Sequence, residues 1–482
     1  MLRWLCVCAL AAVSCGDDSP VGSSCEGAGE CDGLVCIVAP EASAGDLDPL
    51  PLVCSSEQKG RKPGAECGSG GECASGICLL AGACAVPCAD AEDCSSRERC
   101  QSGYARGEMG RLHPLSVCVA MADLPFEVET RPNAFSGDID ALDLPPTAAP
   151  TLFVIEHLDD DDWPVPPTDT TCRPPLCAVT LAPRGGETWF DREQLTDPEG
   201  PINPLAVGDH VHPLSVLIPN GPRAQPSDKG YRLQLETKHA GRARVTRVAV
   251  EPGEGRLDLN VFYVGTIVTS EQLREALSEV DRIFEQAELS VGELREIEVT
   301  GELLERGADL PDAEVSRGFA VLKRQYGVYP QLPELFKLSA GAANVALDVF
   351  LVADIEAGSA DLGGIAGGTP VPFGMHGTGA SGIAISADMF EPDPPQLGRV
   401  LAHELGHALG LFHTTERDGE VFDPFPDTPS CDKQRDRNGN GLEASECQGA
   451  GADNLMFPST DAEAARLTEQ QTAQLRAAMI LR

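Results

Sequence analysis

Short apolar runs separated by turn residues occupy the middle of the chain. Thr151 to Ile155, Leu214 to Ile218 and Tyr231 to Leu235 have the β-branched content, or the alternation of apolar and polar positions, that predicts strands. Pro-Asn-Gly and Asp-Lys-Gly sequences, which favour turns, lie between the last two runs. We therefore expect a β-sandwich over residues 151–255.

At residue 256 the pattern changes to alternating strands and helices. Leu257 to Val264 predicts a strand, and Ser270 begins a helix with an apolar face, which a second strand follows near Val299. Val345 to Val352 has the mostly apolar character of a strand that is buried on both faces of a sheet. This order predicts a mixed sheet flanked by helices.

The segment before the last long helix is less regular. Val315 to Tyr326 predicts another helix, Gly363 to Gly382 predicts a long glycine-rich loop, and Gly382 to Ser386 predicts a short strand. Because these elements continue the alternation of strands and helices, we expect residues 256–482 to form one α+β domain.

Residues 25–118 hold twelve cysteines and almost no long apolar periodicity. The spacing Cys-x5-Cys-x4-Cys begins at Cys25 and again at Cys67, and a looser third copy begins at Cys88. We expect a small module in which disulfides replace a core, with a connectivity that the spacing does not fix. A zinc ribbon is the alternative, but no Cys-x2-Cys pair occurs.

Residues 119–150 are rich in Pro, Asp and Ala and lack periodicity, as in Asp143 to Pro146, which predicts a linker. Farther along, Cys172 and Cys177 are close in sequence and distant from other cysteines. We expect these two cysteines to form a disulfide across a tight loop.

The first residues are typical of an export sequence. Arg3 precedes an apolar run of about ten residues, which is too short for a permanent membrane span, so we expect residues 1–14 to be a removed signal peptide. Cys15 follows small residues as in a bacterial lipobox, which predicts its lipidation and a tether over residues 15–24. The expected location is then the cell envelope, at the outer membrane. Ordinary cleavage near Ala12, which would give an extracellular protein, is the alternative.

Charge and cysteine count agree with export. Of the 19 cysteines, 16 lie after Cys15 and can pair without remainder. The chain carries 75 acidic side chains against 36 Lys and Arg, a formal net charge of −39. No basic patch is therefore available to neutralise phosphates, which excludes nucleic acid as a partner and leaves membrane contact only through a lipid anchor. The oligomeric state is not predicted.

Residues 403–413 read His-Glu-Leu-Gly-His-Ala-Leu-Gly-Leu-Phe-His on a predicted helix that follows a strand. Positions four apart are separated by about 1.1 helical turns, so His403 and His407 project from one face toward one metal ion. Glu404 is the residue after His403 on this helix, so its side chain projects in a different direction from those of His403 and His407. Gly410 permits the sharp turn, often through positive φ, that returns His413 to the same ion.

Three neutral imidazoles leave one position of a tetrahedral zinc open, which is the arrangement of a catalytic site rather than a structural one. Glu404 is not a ligand in this arrangement. It is placed to act as the general base toward water and then to protonate the leaving amine. The alternatives are unrelated histidines on a helix surface and a degenerate protease that keeps only the scaffold.

The extended motif resembles that of the metzincin clan of metallopeptidases, which is also defined by a downstream methionine turn. Met456, in Asn-Leu-Met-Phe-Pro, fits this turn, and the resemblance implies that Met456 lies beneath the three imidazoles. Within the clan the chain is most similar to the pappalysins. Three features carry that similarity: His-Thr-Thr at His413, Asp-x-x-x-Asp-Thr-Pro from Asp423, and Leu-Thr-Glu-Gln-Gln from Leu467.

This resemblance covers about residues 256–482. It implies a twisted mixed sheet, an active-site helix, an irregular C-terminal subdomain, zinc as the cofactor, and a protein or peptide substrate. Pro458 departs from the pappalysin pattern, in which Tyr is usual two residues after the turn methionine. A tyrosine close to the zinc is therefore not expected.

Asp436, Asn438 and Asn440 alternate in an Asp-x-Asn-x-Asn-Gly sequence between Cys431 and Cys447, which we expect to form a disulfide. Alternating oxygen ligands suit calcium, although the closing position of an EF-hand loop falls here on a cysteine. Pappalysin-like enzymes bind calcium in this subdomain, which favours the same interpretation. A plain polar loop tied by the disulfide is the alternative.

Taken together, these features predict a secreted or surface-anchored zinc-dependent endopeptidase. The disulfide module and the β-sandwich would then act as a spacer, a pro-segment or a substrate-docking unit. The principal alternative is a catalytically inactive surface adhesin or binding protein on a metzincin scaffold. A zinc hydrolase that acts on a non-peptide bond is disfavoured, because the extended motif resembles that of peptidases.

Overall fold

The structure is a computed structural model, and it describes residues 24–26, 31, 35–39, 52–55, 60–89, 93–95, 97–106, 112–122, 126–158, 176–191, 213–222, 224–237, 240–249, 255–299, 318–324, 329–342, 344–357, 362–459 and 464–478. The predicted signal peptide, the lipidation of Cys15 and the pairing of Cys172 with Cys177 lie outside these ranges and stay predictions. Within the ranges, no helix combines the length and the apolar character that a membrane crossing needs.

The described part of the cysteine-rich segment includes five antiparallel strands. β1 (Val35–Val38) pairs with β2 (Leu52–Ser55). β5 (Leu112–Ala120) lies between β3 (Val86–Pro87) and β4 (Glu98–Arg106).

All twelve cysteines of this segment form disulfides, as predicted, so none is a thiolate ligand for zinc. The pairs are Cys25–Cys36, Cys31–Cys54, Cys67–Cys78, Cys73–Cys84, Cys88–Cys100 and Cys94–Cys118. In each copy of the repeat, the first cysteine pairs with the third, and the second pairs with the cysteine that follows the copy. The three copies are therefore alike in connectivity as well as in spacing.

Residues 126–249, here called the sheet domain, form two four-stranded antiparallel sheets. Their strands are β6 (Phe126–Ser136), β7 (Ile139–Leu144), β8 (Thr151–His157), β9 (Leu176–Pro183), β10 (Phe190–Asp191), β11 (Leu214–Ile218), β12 (Tyr231–Thr237) and β13 (Ala240–Ala249). The spatial order is β10-β9-β12-β7 in one sheet and β11-β8-β13-β6 in the other. Apolar side chains from both sheets, among them Phe153, Leu181 and Tyr231, share one buried core.

The linker predicted over residues 119–150 is wrong for residues 126–144, which form β6 and β7. β6 pairs with β13, and β7 pairs with β12. Most β6 side chains are exposed, so this strand lacks the buried alternation on which a strand prediction depends. Pro132 lies where the pairing with β13 shifts register, a position at which a strand tolerates proline.

β8 is buried along its whole length, and its two faces contribute to different cores. Phe153 and Ile155 lie in the core between the two sheets. Leu152 and Val154 on the opposite face join Leu217 of β11 in the core of the C-terminal half. The sheet domain and the C-terminal half therefore share a continuous apolar interface.

Residues 255–478, here called the C-terminal domain, have a five-stranded sheet with helices on both faces. The elements are β14 (Arg256–Val264), α1 (Ser270–Phe284), β15 (Ser290–Val299), β16 (Val321–Lys323), α2 (Gln331–Phe336), β17 (Leu347–Val352), β18 (Asp354–Glu356), β19 (Gly364–Ala366), β20 (Gly382–Ser386), α3 (Pro394–Ala408) and α4 (Glu469–Ala477). The spatial order of the large sheet is β15-β14-β17-β20-β19, and β19 alone among these strands runs antiparallel to its neighbour.

The α+β class and the β-α-β start at β14 are as predicted. The helix predicted over Val315 to Tyr326 is wrong, because residues 318–320 form a 3-10 turn and residues 321–323 form β16, which pairs with β18. The loop predicted over Gly363 to Gly382 contains the edge strand β19.

Two apolar clusters cover the two faces of the large sheet. On one face lie α1 and α3, and α1 begins with a capping box formed by Thr269 and Gln272. On the other face Leu80 and Tyr104 of the cysteine-rich segment pack with aromatic residues of the C-terminal domain, including Phe350. The cysteine-rich segment therefore packs against the C-terminal domain and is not an independent domain.

Candidate active site

The active-site helix α3 has well-defined signals at its start. The side chain of Asp393 accepts a hydrogen bond from the Gln396 backbone N–H at 3.0 Å, and Pro394 occupies the first turn, where its missing N–H costs nothing. Gly398 lets α3 approach α1 closely, because a Cβ at this position would lie 2.3 Å from the Ala276 carbonyl oxygen. The histidines are thus carried by a helix that is fixed against the core.

Gly410 makes the turn that follows α3. Its φ of 97° lies in the region that favours glycine, and its N–H donates to the His407 carbonyl at 2.9 Å. Leu411 then donates to the Gly406 carbonyl at 2.9 Å, which closes the end of the helix. The turn brings His413 back beside the two helical histidines, as predicted.

The three histidines converge through their Nε2 atoms. The Nε2 of His413 lies 3.2 Å from that of His403 and 3.1 Å from that of His407. On the far side of each ring, Nδ1 faces an acceptor: the Leu455 carbonyl at 2.7 Å for His403 and the Leu411 carbonyl at 2.7 Å for His407. For His413 the acceptor is the Glu416 carboxylate at 3.0 Å.

This arrangement fits a zinc ion. Each Nδ1 must carry the proton that it donates, so each Nε2 presents a lone pair, and three lone pairs so close together repel one another unless a cation lies between them. Tetrahedral zinc with Zn–N bonds of about 2.0–2.1 Å places its nitrogen ligands about 3.3 Å apart, close to the 3.1 and 3.2 Å found here. His403, His407 and His413 are therefore the residues that would hold zinc.

The surroundings keep two of the rings neutral, as metal ligands require. Burial, together with the nearby His413, lowers the pKa of His403 to about 3 and the pKa of His407 well below its ordinary value. Burial acts in the same direction on His413, but the charge and hydrogen bond of Glu416, together with the charge of Glu404, outweigh it and raise the pKa of that ring. Glu416 therefore has a marked electrostatic influence on the third ligand.

Glu404 lies beside the histidines and does not join their cluster. It is only 6% exposed, and the backbone N–H of Ala366 in β19 donates to its carboxylate. Burial raises the pKa of Glu404 to about 8, against the opposing effects of His413 and of the Ala366 hydrogen bond. Gly364 of β19 also contacts it closely, because a Cβ there would lie 2.5 Å from Cγ of Glu404.

Met456 packs directly beneath the motif. The side chain is fully buried, and a Cβ on Gly406 would lie 2.6 Å from its Sδ. The Met456 carbonyl accepts a hydrogen bond from the Thr414 N–H at 3.1 Å, just after the third histidine. Met456 therefore packs against Gly406 of the motif, and its place beneath the three imidazoles stays a prediction.

The pappalysin-like motifs after the histidines have structural roles. Asp427 accepts hydrogen bonds from the Thr468 hydroxyl at 2.9 Å and the Gln470 N–H at 2.9 Å, so it helps to cap α4. Thr468 and Gln471 form the predicted capping box. Asp423 holds the same loop by accepting a hydrogen bond from the Thr428 hydroxyl.

The predicted disulfide between Cys431 and Cys447 is present. In the loop between them, the Asp436 carboxylate accepts hydrogen bonds from the backbone N–H groups of Gly439 at 2.6 Å and Gly441 at 3.1 Å. The Asn438 side-chain oxygen accepts from the Asn440 N–H at 3.0 Å. These oxygens are turned toward the loop backbone, and calcium at Asp436, Asn438 and Asn440 stays a prediction.

Two contacts of the site were not predicted from the sequence, namely the Glu416 carboxylate on His413 and the Ala366 N–H on Glu404. Glu416 follows the third histidine by three residues. In a helix this spacing would bring the two side chains together, but the chain is not helical here, so the spacing alone does not predict the contact. Ala366 belongs to a stretch that the sequence presents as a loop. The first contact depends on the hairpin that follows His413, and the second depends on the packing of α3 beside β19.

Comparison with known proteins agrees with this site. Residues 343–479 match the sequence model of the peptidase family described as Pregnancy-associated plasma protein-A. No curated protein matches the chain. Among solved structures the chain is similar to archaemetzincin from Methanopyrus kandleri, with 14% sequence identity, coverage of 46% of this chain and 94% of that chain, and a TM-score of 0.26. At that TM-score the likeness does not establish a shared fold.

The residues matched by the family model include the three histidines, Glu404 and Met456. Residues 343–479 are therefore similar to the pappalysins, a family of zinc metallopeptidases, which confirms for this segment the resemblance seen in the sequence motifs.

Proposed function

We propose that this protein is an exported, zinc-dependent endopeptidase in which Glu404 is the general base. The observation that carries the proposal is the convergence of three Nε2 lone pairs beside one buried carboxylate that is not a ligand. Zinc bound to three histidines supplies Lewis-acid chemistry, in that it makes water a nucleophile near neutral pH and polarises a carbonyl. The roles of the protein's own residues follow from their positions.

Glu404 is suited to move a proton in both directions. The buried carboxylate lies beside the three histidines and is not one of the groups that would hold the metal, so it can accept a proton from the attacking water. The same group can then release that proton to the amine that leaves when the peptide bond breaks. The Ala366 N–H fixes the carboxylate in place for both steps.

The edge strand β19 is the proposed binding surface for the peptide substrate. Among the described strands, β19 pairs only with β20, so its other edge, apart from the Ala366 N–H that donates to Glu404, has backbone groups available for an added strand. Gly364 and Ala366 of β19 contact Glu404. A peptide that pairs with this edge in extended form would therefore pass its backbone beside the general base.

We further propose that the protein is exported and anchored by lipid at Cys15, with residues 1–14 removed. The disulfides of the cysteine-rich segment support an oxidising location. The sheet domain is proposed to be a β-sandwich, supported by the core that its two sheets share. Its interface with the C-terminal domain favours a permanent structural unit over a removable pro-segment.

Cleavage of a peptide library, followed by mass spectrometry, tests the proposal. We expect internal peptide bonds to be cut, the activity to be lost with a chelator and restored by zinc, and no activity in His403→Ala. The rival function is a non-catalytic binding protein on the same scaffold. Retention of zinc by the wild-type protein with no cleavage of the library or of casein would favour that rival.

A further inference from the structure

The third histidine differs from the other two in the group that holds its Nδ1. His403 and His407 donate to backbone carbonyls, whereas His413 donates to the carboxylate of Glu416 at 3.0 Å. A carboxylate brings a full negative charge to the side of the ring opposite the metal position. Within the described residues, Glu416 is the only side chain that holds one of the three rings in this way.

The backbone of Glu416 is held on both sides. Its N–H donates to the Val421 carbonyl at 2.7 Å, and its carbonyl accepts from the Gly419 N–H at 2.8 Å. Gly419 has a φ of 69° and contacts the next segment so closely that a Cβ would lie 2.4 Å from the Lys433 nitrogen. The backbone of Glu416 is therefore fixed beside His413, although 44% of the Glu416 side chain is exposed.

We propose that Glu416 is a positioning residue for the zinc site: it acts through His413 to fix the ring and to strengthen zinc binding. This inference rests on the proposed zinc-dependent function. A carboxylate that accepts from Nδ1 selects the tautomer with the lone pair on Nε2, holds the ring in its plane, and makes Nε2 a more basic ligand. It also offsets part of the positive charge that zinc brings to the site.

Two substitutions separate the charge from the hydrogen bond. Glu416→Gln keeps an oxygen that can accept from Nδ1 but removes the charge, and Glu416→Ala removes both. Glu420→Gln is the matched control, because Glu420 lies on the same short hairpin, pairs with Lys433 and has no contact with the histidines among its hydrogen bonds and ion pairs. Circular dichroism of each metal-free protein verifies that the fold is retained.

The zinc dissociation constant, measured by competition with a chromophoric chelator, is the principal readout. Loss of such a partner weakens metal binding by about 10- to 100-fold, so we expect this loss for Glu416→Ala, a smaller loss for Glu416→Gln, and no change for Glu420→Gln. The absorption bands of the cobalt-substituted protein should also shift in Glu416→Ala, because the geometry at His413 is less constrained.

Wild-type zinc affinity and an unchanged cobalt spectrum in Glu416→Ala would overturn the inference. If Glu416→Ala does not fold, Glu416→Gln decides, and equal affinity in that variant and in Glu420→Gln would overturn the part assigned to charge. Failure of the proposed function is distinguishable, because it would be seen in the wild-type protein itself, which would either bind no zinc or bind zinc without cleaving peptides.

Discussion

Leu217 of the sheet domain packs against Gly410 in the turn of the histidine motif. A Cβ on Gly410 would lie 3.2 Å from Cδ2 of Leu217. Next to this contact, the Gln474 side chain of α4 accepts from the Gly221 N–H at 3.1 Å. The turn that positions the third histidine is therefore supported by Leu217 of the sheet domain, which precedes Gly410 by 193 residues (410 − 217) in the sequence.

Gly410→Ala should reduce both stability and zinc affinity. A side chain at a φ of 97° is strained by about 1–3 kcal/mol, and here it also approaches Leu217. Thermal unfolding and zinc titration measure the two effects. Gly449→Ala is the control for strain alone, since Gly449 has a φ of 74° and no atom within 4 Å of an added Cβ. Equal zinc affinity in Gly410→Ala and the wild type would contradict this role for the turn.

Leu217→Ala and Val216→Ala should differ in their effect on the metal site. Both residues are fully buried in β11, but Leu217 faces the core of the C-terminal domain and Val216 faces the core between the two sheets. Each truncation should cost about 2–4 kcal/mol of stability. Only Leu217→Ala should also weaken zinc binding in the folded protein. A comparable loss in Val216→Ala would mean that the sheet domain acts through general stability.

Gly406→Ala should destabilise the protein by about 1–3 kcal/mol, because the added methyl group would lie 2.6 Å from Sδ of Met456. Met456→Ala removes the crowding but leaves a cavity. In the double variant the two losses should therefore not add, and chemical denaturation of the four proteins measures the coupling. Additive losses would show that Met456 does not lie beneath Gly406.

The sequence predicted those elements in which local pattern and burial agree. β14, β17 and β20 are mostly apolar because both of their faces are covered, and α1 has a capping box and an apolar stripe that are visible in the sequence. The histidine motif was predictable for the same reason, since helical spacing and one glycine turn fix it locally.

The predictions from the sequence fail in segments whose conformation is set by tertiary contacts rather than by the local pattern of apolar and polar residues. β6 is mostly exposed and is held in an extended conformation by its pairing with β13, so its polar sequence is typical of a linker. A helix is not formed within the range Val315 to Tyr326, because Phe319 and Leu322 are buried against the large sheet from a 3-10 turn and the short strand β16. Glu416 was missed because a hairpin, not a helix, brings it to His413.

His376 should make stability depend on pH. Its Nδ1 faces the Asp348 carboxylate at 2.8 Å and its Nε2 faces the Asn344 carbonyl at 2.8 Å, so a charged ring satisfies both acceptors. Burial opposes the charge, but these partners raise the pKa of His376 above 6.5. The stabilisation is therefore complete below about pH 6.5 and is lost as the pH rises through the raised pKa.

Denaturant unfolding from about pH 6 to about pH 9 measures this dependence. The free energy of unfolding should fall with rising pH in the wild type and fall less steeply in His376→Gln. Gln101→Ala is the control, because it removes the 2.7 Å hydrogen bond to the His376 carbonyl and no ionisable group. A slope in His376→Gln equal to that of the wild type would show that another group is responsible.

Zinc content and peptide cleavage, measured on the same preparations of wild type and Glu404→Gln, test the central claim most directly. Glu404 is beside the histidines and is not among the groups that would hold the metal, so Glu404→Gln should keep a full equivalent of zinc and an unchanged unfolding temperature. Its cleavage rate should fall by about 10⁴-fold or more, because Glu404 is proposed both to accept the proton of water and to protonate the leaving amine. Loss of zinc in Glu404→Gln, or cleavage at the wild-type rate, would contradict the account.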